Sequence, residues 1–280
     1  MTLKNLALRV LVAIFGIPLL LFTFYHGRYP LLVIVLIINI FSQYEFYKLT
    51  EKKNALPLKY FGIAIGISVT LIFFYWGIEK LWIVLMSGII MILLIELFRN
   101  KPNATLNVAS TIAGILYPTT LFSFVILIRE LPKSVNVAYH LGGLWLLVII
   151  ITIWICDTAA YFVGSAIGKH KLFERVSPHK TIEGAIAGFA FSLVTVYIFY
   201  LLYPNLLTLI HYLIIGGIIG IISQVGDLIE SLFKRDVGVK DSSAILPGHG
   251  GFLDRFDAPT FTVPIMYFYI SIVIPHLLVE

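Results

Sequence analysis

Between Ser223 and Pro259 the chain gathers, in one polar segment, the groups that bind metal ions and phosphates. Five of its six aspartates fall there: Asp227, Asp236, Asp241, Asp254 and Asp257. The same segment holds Lys234, Arg235, Lys240 and Arg255, and a turn, Pro247-Gly248-His249-Gly250-Gly251. Asp227 and Ser231 are four apart, as are Glu230 and Lys234, so each pair shares a face if the preceding helix continues. Asp254 and Asp257, three apart, project together on a helical turn. Clustered hard oxygens suit Mg²⁺, which takes a couple of carboxylates and fills its shell with water and substrate phosphate. The four cations can donate to phosphate oxygens, arginine bidentately, and the glycines let backbone approach a ligand closely. His249 has no second His or Cys at zinc spacing, so it reads as a hydrogen-bond or phosphate partner.

Two earlier stretches carry further candidates. Asp157 follows fourteen residues of an apolar run, Gly143 to Cys156, which puts it roughly 20 Å into a helix. A carboxylate at that depth faces a cavity or a partner, and a basic partner that merely joins two helices is the plain alternative. The small residues after it, Ala159, Ala160, Gly164 and Gly168, permit close helix approach. Ser177 to Gly184 ends in a helix start with Ser177 and Thr181 as caps and Glu183 in the first turn. That is a well-capped basic loop; with Lys180 beside free helix N–H groups it is also suited to an anion.

These residues need a membrane scaffold. The chain is 280 residues long with 59% hydrophobic and 12% charged residues and a mean hydropathy of +0.96. Its apolar runs of about 20 residues match a hydrocarbon core of roughly 30 Å. The fold class expected is all-α: one polytopic integral membrane domain of about nine helices, near 6–25, 30–48, 60–76, 81–98, 108–128, 143–164, 184–202, 206–227 and 260–278. Residues 1–140 supply the N-terminal helices, and 141–280 the catalytic half with loops 165–183 and 228–259. Pro18 and Pro118 lie inside spans, where they distort a helix rather than end it. The second span is expected to run past the membrane as an amphipathic helix through Glu45 and Lys48. Lys4 and Arg9 before an apolar run resemble a signal sequence, but no small-x-small cleavage site follows, and a retained helix is expected. With the N-terminus cytoplasmic, alternate connections divide the 20 Lys and Arg residues 16 inside to 4 outside. Both functional loops then face the cytoplasm.

Several function classes drop out. The one cysteine, Cys156, allows neither an intrachain disulfide nor a cysteine metal cluster. No Ser/His/Asp or Cys/His nucleophile arrangement, P-loop or dinucleotide fingerprint is present. The net charge of +5 suits anionic lipid or nucleotide partners as well as membrane orientation, and no nucleic-acid partner is expected. An ion-coupled secondary transporter would use Asp157 and Asp227, yet it leaves the dense polar segment unexplained and calls for broken helices in symmetric halves, which are not found.

The segment Ser231-Leu232-Phe233-Lys234-Arg235, Lys240-Asp241 and Leu246-Pro247-Gly248-His249-Gly250-Gly251-Phe252-Leu253-Asp254-Arg255-Phe256-Asp257 resembles the signature of the phosphatidate cytidylyltransferases, with about a dozen fixed positions over 27 residues. Cys156-Asp157-Thr158-Ala159-Ala160-Tyr161 is similar to the family's intramembrane Asp segment. Ser177 to Gly184 is similar to its Ser-Pro-Lys-Lys-Thr-x-Glu-Gly segment, with His179 in place of the first Lys. The likeness covers about the C-terminal half; residues 1–140 agree only in being hydrophobic spans. The resemblance implies Mg²⁺-dependent conversion of CTP and phosphatidate to CDP-diacylglycerol and pyrophosphate, in a bacterial-type inner membrane with the site facing the cytoplasm. On that reading Asp227 and Asp254 hold the metal, with Asp257 a further ligand or orienter. Lys234, Arg235, Lys240 and His249 contact phosphate, with Ser231, Asp241 and Arg255 among the substrate-binding residues. Asp157 and Lys180 close the site from the other loop. A CTP-dependent polyprenol kinase or an ether-lipid cytidylyltransferase would fit the same residues, whereas the Asp-Gly-x-x-Ala-Arg motif of the CDP-alcohol phosphotransferases is absent. Homodimers are common among polytopic enzymes, but no residue here demonstrates one.

Overall fold

The computed structural model describes residues 3–134, 137–246, 248 and 250–277. The helices are α1 (Leu3–His26), α2 (Arg28–Glu51), α3 (Lys59–Trp76), α4 (Leu81–Arg99), α5 (Ala104–Gly114), α6 (Leu121–Ser134), α7 (His140–Ile167), α8 (Ile182–Leu202), α9 (Leu209–Asp236) and α10 (Leu253–Leu277). A π-helical turn, Ile115–Thr120, joins α5 to α6 without a break. Pro118 lies in that turn and has no N–H to give; Thr120 Oγ1 donates to Ile115 O at 2.9 Å. Among the described residues eight helical stretches are long and apolar enough to cross a membrane, and Ile14–His26 of α1 is a shorter apolar one. Burial sorts these stretches. The Ala104–Lys133 rod is 72% buried in its apolar window, against 28% for α4 and 22% for α8, so the rod is the hub and those two lie at the periphery.

Hydrocarbon offers little hydrophobic drive between helices, so packing and interhelical hydrogen bonds of about 0.6–2 kcal/mol each hold the bundle. Asn39 on α2 donates to Thr70 on α3 at 2.9 Å and to Ser123 on α6 at 2.8 Å, all three buried. On α7 and α8 the small residues permit near contact: a Cβ on Gly184 would stand 2.6 Å from Ala160 O and 3.0 Å from Gly164 Cα. Gly164 therefore serves the close helix approach expected of it.

Three sequence expectations shift. The loop expected over 165–183 narrows to 168–181, and an antiparallel hairpin of β1 (Lys171–Phe173) and β2 (Ser177–Thr181) stands in it. Ser177 is thus a strand residue rather than a cap, whereas Thr181 does cap α8, accepting from Gly184 N at 3.2 Å. The loop expected over 228–259 shrinks to 237–252, because α9 stays helical to Asp236 and α10 begins at Leu253. Charge did not end α9: Glu230 and Lys234 pair across one turn at 2.6 Å and turn inward, and Lys234 and Arg235 suit a helix C-terminus. Nor does Glu45 sit on an amphipathic surface; it is buried, with 1% exposed.

The connections 52–58, 100–103, 168–181 and 237–252 meet at one end of the bundle. Lys53 pairs with Asp236 at 3.0 Å, and Arg99 donates to Leu56 O at 2.6 Å. Asn103 donates to Asn54 O at 3.1 Å, and Arg235 Nε to Val176 O at 3.2 Å. At the other end the buried Arg129 gathers α1 and the start of α7, donating to Tyr25 O, His26 O and Tyr139 O.

Candidate active site

The last three turns of α9 present Asp227, Glu230, Ser231 and Lys234 to the bundle end just described. The first turn of α10 presents Asp254 and Asp257, while α7 contributes Asp157 and β2 contributes Lys180. Gly226 lets α10 come close: a Cβ there would lie 3.0 Å from Asp257 O. Lys180 Nζ bridges to Asp227 Oδ2 at 2.7 Å, tying the hairpin to α9, and Ser231 Oγ makes a longer bond of 3.4 Å to Asp227 Oδ1. Asp157 lies within electrostatic reach of Asp227 and Lys180, and Asp257 within reach of Asp227, Asp157 and Lys234. Three carboxylates thus lie within electrostatic reach of one another, and Lys180 is paired with one of them, Asp227. Among the described residues the Asp157 carboxylate makes no hydrogen bond or ion pair.

The same two helix ends hold a buried triad. Lys234 Nζ meets Glu230 Oε2 at 2.6 Å and Asp254 Oδ1 at 2.7 Å. Asp254 is committed further. Ser242 N and Oγ donate to its Oδ2 at 3.0 and 2.9 Å, and Gly251 N does so at 2.7 Å. The carboxylate expected to hold metal is thus saturated by a lysine and the loop. Arg235, expected at phosphate, donates instead to backbone: Nε to Val176 O and Nη1 to Val239 O at 2.6 Å. Lys240 and Asp241 are exposed at the loop's start, and Arg255 is exposed on α10. His249 lies outside the described residues.

Two residues in this network escaped the sequence reading. Glu230 was legible as a helical partner of Lys234 but not as a fully buried carboxylate. Glu45, on α2, accepts from Ser242 Oγ at 3.0 Å, Ser243 Oγ at 2.5 Å, Phe252 N at 3.1 Å and Leu253 N at 2.8 Å. A signal existed: Glu45 is a carboxylate late in an apolar span, the criterion that singled out Asp157.

Among the described residues no three of His, Cys, Asp and Glu converge tightly enough to enclose an ion alone. The donor set still fits Mg²⁺. That ion needs only one or two carboxylates beside water and phosphate, and Asp157, Asp227 and Asp257 offer hard oxygens with negative charge in excess of Lys180.

Eight helices of membrane length and apolar composition among the described residues define a polytopic membrane protein. A family model described as "Cytidylyltransferase family" matches residues 7–273. A Bacillus subtilis phosphatidate cytidylyltransferase is 37% identical over 196 residues, 70% of each chain. Proteins of the same name from Staphylococcus saprophyticus and Haemophilus influenzae are 44% identical over 122 and 158 residues; these cover 44% of this chain and 47% of the first, and 54% of this chain and of the second. The chain belongs to the cytidylyltransferase family and is a nucleotidyltransferase.

Proposed function

We propose that the chain transfers the cytidylyl group of CTP to phosphatidate, releasing pyrophosphate and leaving CDP-diacylglycerol in the bilayer. The observation that carries this reading is the Lys180–Asp227 pair, 2.7 Å apart and within electrostatic reach of Asp157, at the end of α9 where a lipid phosphate and a water-borne nucleotide can meet. The names of the relatives support the same pair of substrates. A phosphatidate oxygen attacks the α-phosphorus of CTP. The new P–O bond forms as the bond from that phosphorus to the α,β-bridging oxygen breaks, and pyrophosphate departs with the electron pair. Phosphate oxygens are ionised near neutral pH, so no protein base must take a proton and no protein nucleophile is needed.

The protein's part is positioning and charge. Lys180 and Lys240 offer positive charge to the phosphates. The buried Glu230–Lys234–Asp254 triad fixes α9 against α10 and the loop, and Arg235 fixes the hairpin against the loop. Asp227 and Asp257, with Asp157, are the residues that would hold Mg²⁺; Asp254 would have to release its loop bonds to join them. Bound there, the ion would offset the triphosphate's charge and stabilise the leaving pyrophosphate. His249 and Arg255 are assigned to phosphate binding on the sequence signature. The membrane is read as a bacterial plasma membrane with this end in the cytoplasm, because the basic connections gather here and CTP is cytoplasmic.

Purified full-length protein in detergent, given phosphatidate and α-labelled CTP, should place label in the lipid with Mg²⁺ and none with EDTA. Label reaching a lipid only from γ-labelled CTP would replace the reading with a lipid kinase.

A further inference from the structure

Glu45 stands far from the signature segment in sequence, yet its carboxylate receives both ends of the signature loop. Oε1 takes Ser243 Oγ on the incoming arm and Phe252 N on the outgoing arm. Oε2 takes Ser242 Oγ and Leu253 N. Each oxygen therefore spans the loop, and the two backbone donors are the residues that open α10. A second observation agrees: a Cβ on Gly251 would collide with Ser242 Oγ and the Glu45 carboxylate, so the glycine at 251 makes room for this contact. Ser242 is shared with Asp254, whose Oδ2 also accepts from it at 2.9 Å. Around the contact, Phe46 beside Glu45 packs edge-on against Phe233 at 5.7 Å, and Phe41 stacks on Phe252 at 5.0 Å. Glu45 thus reaches the loop from a firmly seated stretch of α2.

We propose that Glu45 is a positioning residue for the reaction. By clamping Ser242–Ser243 to Phe252–Leu253 it fixes the loop that follows Lys240 to the start of the helix that carries Asp257, and so makes the N-terminal helices part of nucleotide binding. The proposal rests on cytidylyl transfer as the activity. A single backbone misplacement of the phosphate-binding arm is enough to cost about 100-fold in rate, and four accepted bonds at one carboxylate leave little freedom while it is charged.

The test compares the full-length wild type with Glu45→Gln and Glu45→Ala in detergent, alongside Glu96→Gln. Glu96 is a buried carboxylate of α4, bonded to Asn107 at 2.6 Å and Arg99 at 3.1 Å, with no bond to the described residues of the loop. Steady-state kinetics in each substrate, melting temperature and trypsin cleavage after Lys240 are measured on all four. Glu45→Gln and Glu45→Ala are expected to lose about 10- to 100-fold in kcat/KM for CTP, with KM for phosphatidate within about twofold of wild type. Both should be cut faster after Lys240, whereas Glu96→Gln loses melting temperature without changing CTP kinetics or cleavage. CTP kinetics within about twofold of wild type in both Glu45 variants, or losses that merely track melting temperature as Glu96→Gln does, would overturn the proposal. If the wild type itself transfers no cytidylyl group, the functional reading fails; the clamp is then judged by cleavage, and equal protection of wild type and Glu45→Ala would remove it as well.

Discussion

Lys234 Nζ sits 2.7 Å from Asp254 Oδ1, joining the last turn of α9 to the first of α10 where neither side chain is more than 10% exposed. Glu230, wholly buried, shares the same ammonium. Lys234→Met would leave two buried carboxylates without their cation, and breaking a buried pair from one side costs about 3–5 kcal/mol. Thermal unfolding in detergent should show a markedly lower midpoint for Lys234→Met and a smaller loss for Lys234→Arg. An unchanged midpoint for Lys234→Met would show the triad to be dispensable to the fold.

Lys180 and Asp227 behave differently because their pair is open to water, with side chains 26% and 34% exposed. Such pairs contribute little to stability, about 0–1 kcal/mol. Lys180→Met and Asp227→Asn are therefore expected to melt like wild type while turnover falls about 100- to 1,000-fold, as when one electrostatic contact to the reacting phosphates is lost. Normal turnover in either variant would take that residue out of the site.

How far the sequence foretold this site can be judged residue by residue. Asp227, Ser231 and Lys234 were legible from four-residue spacing, and α9 does carry them on continuous helix. Its length was not, because a run of charges reads as loop, whereas inward pairing of Glu230 with Lys234 lets the helix run on to Asp236. Asp157 and Lys180 were recognisable singly, one by its depth and one by its helix start. Their approach to Asp227 depends on how α7 and α8 pack and on the hairpin between them, which spacing cannot report. Asp254 illustrates the opposite limit: its residue type suggested a metal ligand, but the bonds from Ser242 and Gly251 arise from the loop's path. Glu45 meets Ser242 across 197 residues, and only the assembled bundle brings the two together.

Metal dependence separates the carboxylates. Asp257→Asn and Asp157→Asn should raise the Mg²⁺ concentration for half-maximal turnover by about tenfold, since each removes charge from a site whose affinity follows ligand charge. Titration of activity with Mg²⁺ in chelator-buffered solution reads this directly. Unchanged half-saturation in both variants would move the metal elsewhere.

Orientation is open to cysteine labelling. Cys156 is buried, so the native chain should be nearly silent to a bulky membrane-impermeant maleimide. Lys240→Cys should be labelled from the cytoplasmic side of the membrane alone, and Lys80→Cys, in the connection between α3 and α4, from the opposite side alone. Labelling of both from one side would contradict the alternation on which the 16-to-4 division of basic residues rests.

The measurement closest to the central claim is the stereochemical course at the α-phosphorus. One diastereomer of CTP carrying sulfur on that phosphorus is turned over with phosphatidate, and the configuration of the thio-substituted CDP-diacylglycerol is determined by phosphorus NMR. Direct attack by the lipid phosphate gives inversion, the result expected here. Retention would mean two displacements through a covalent cytidylyl-protein intermediate, and would contradict a site in which the lipid itself is the nucleophile.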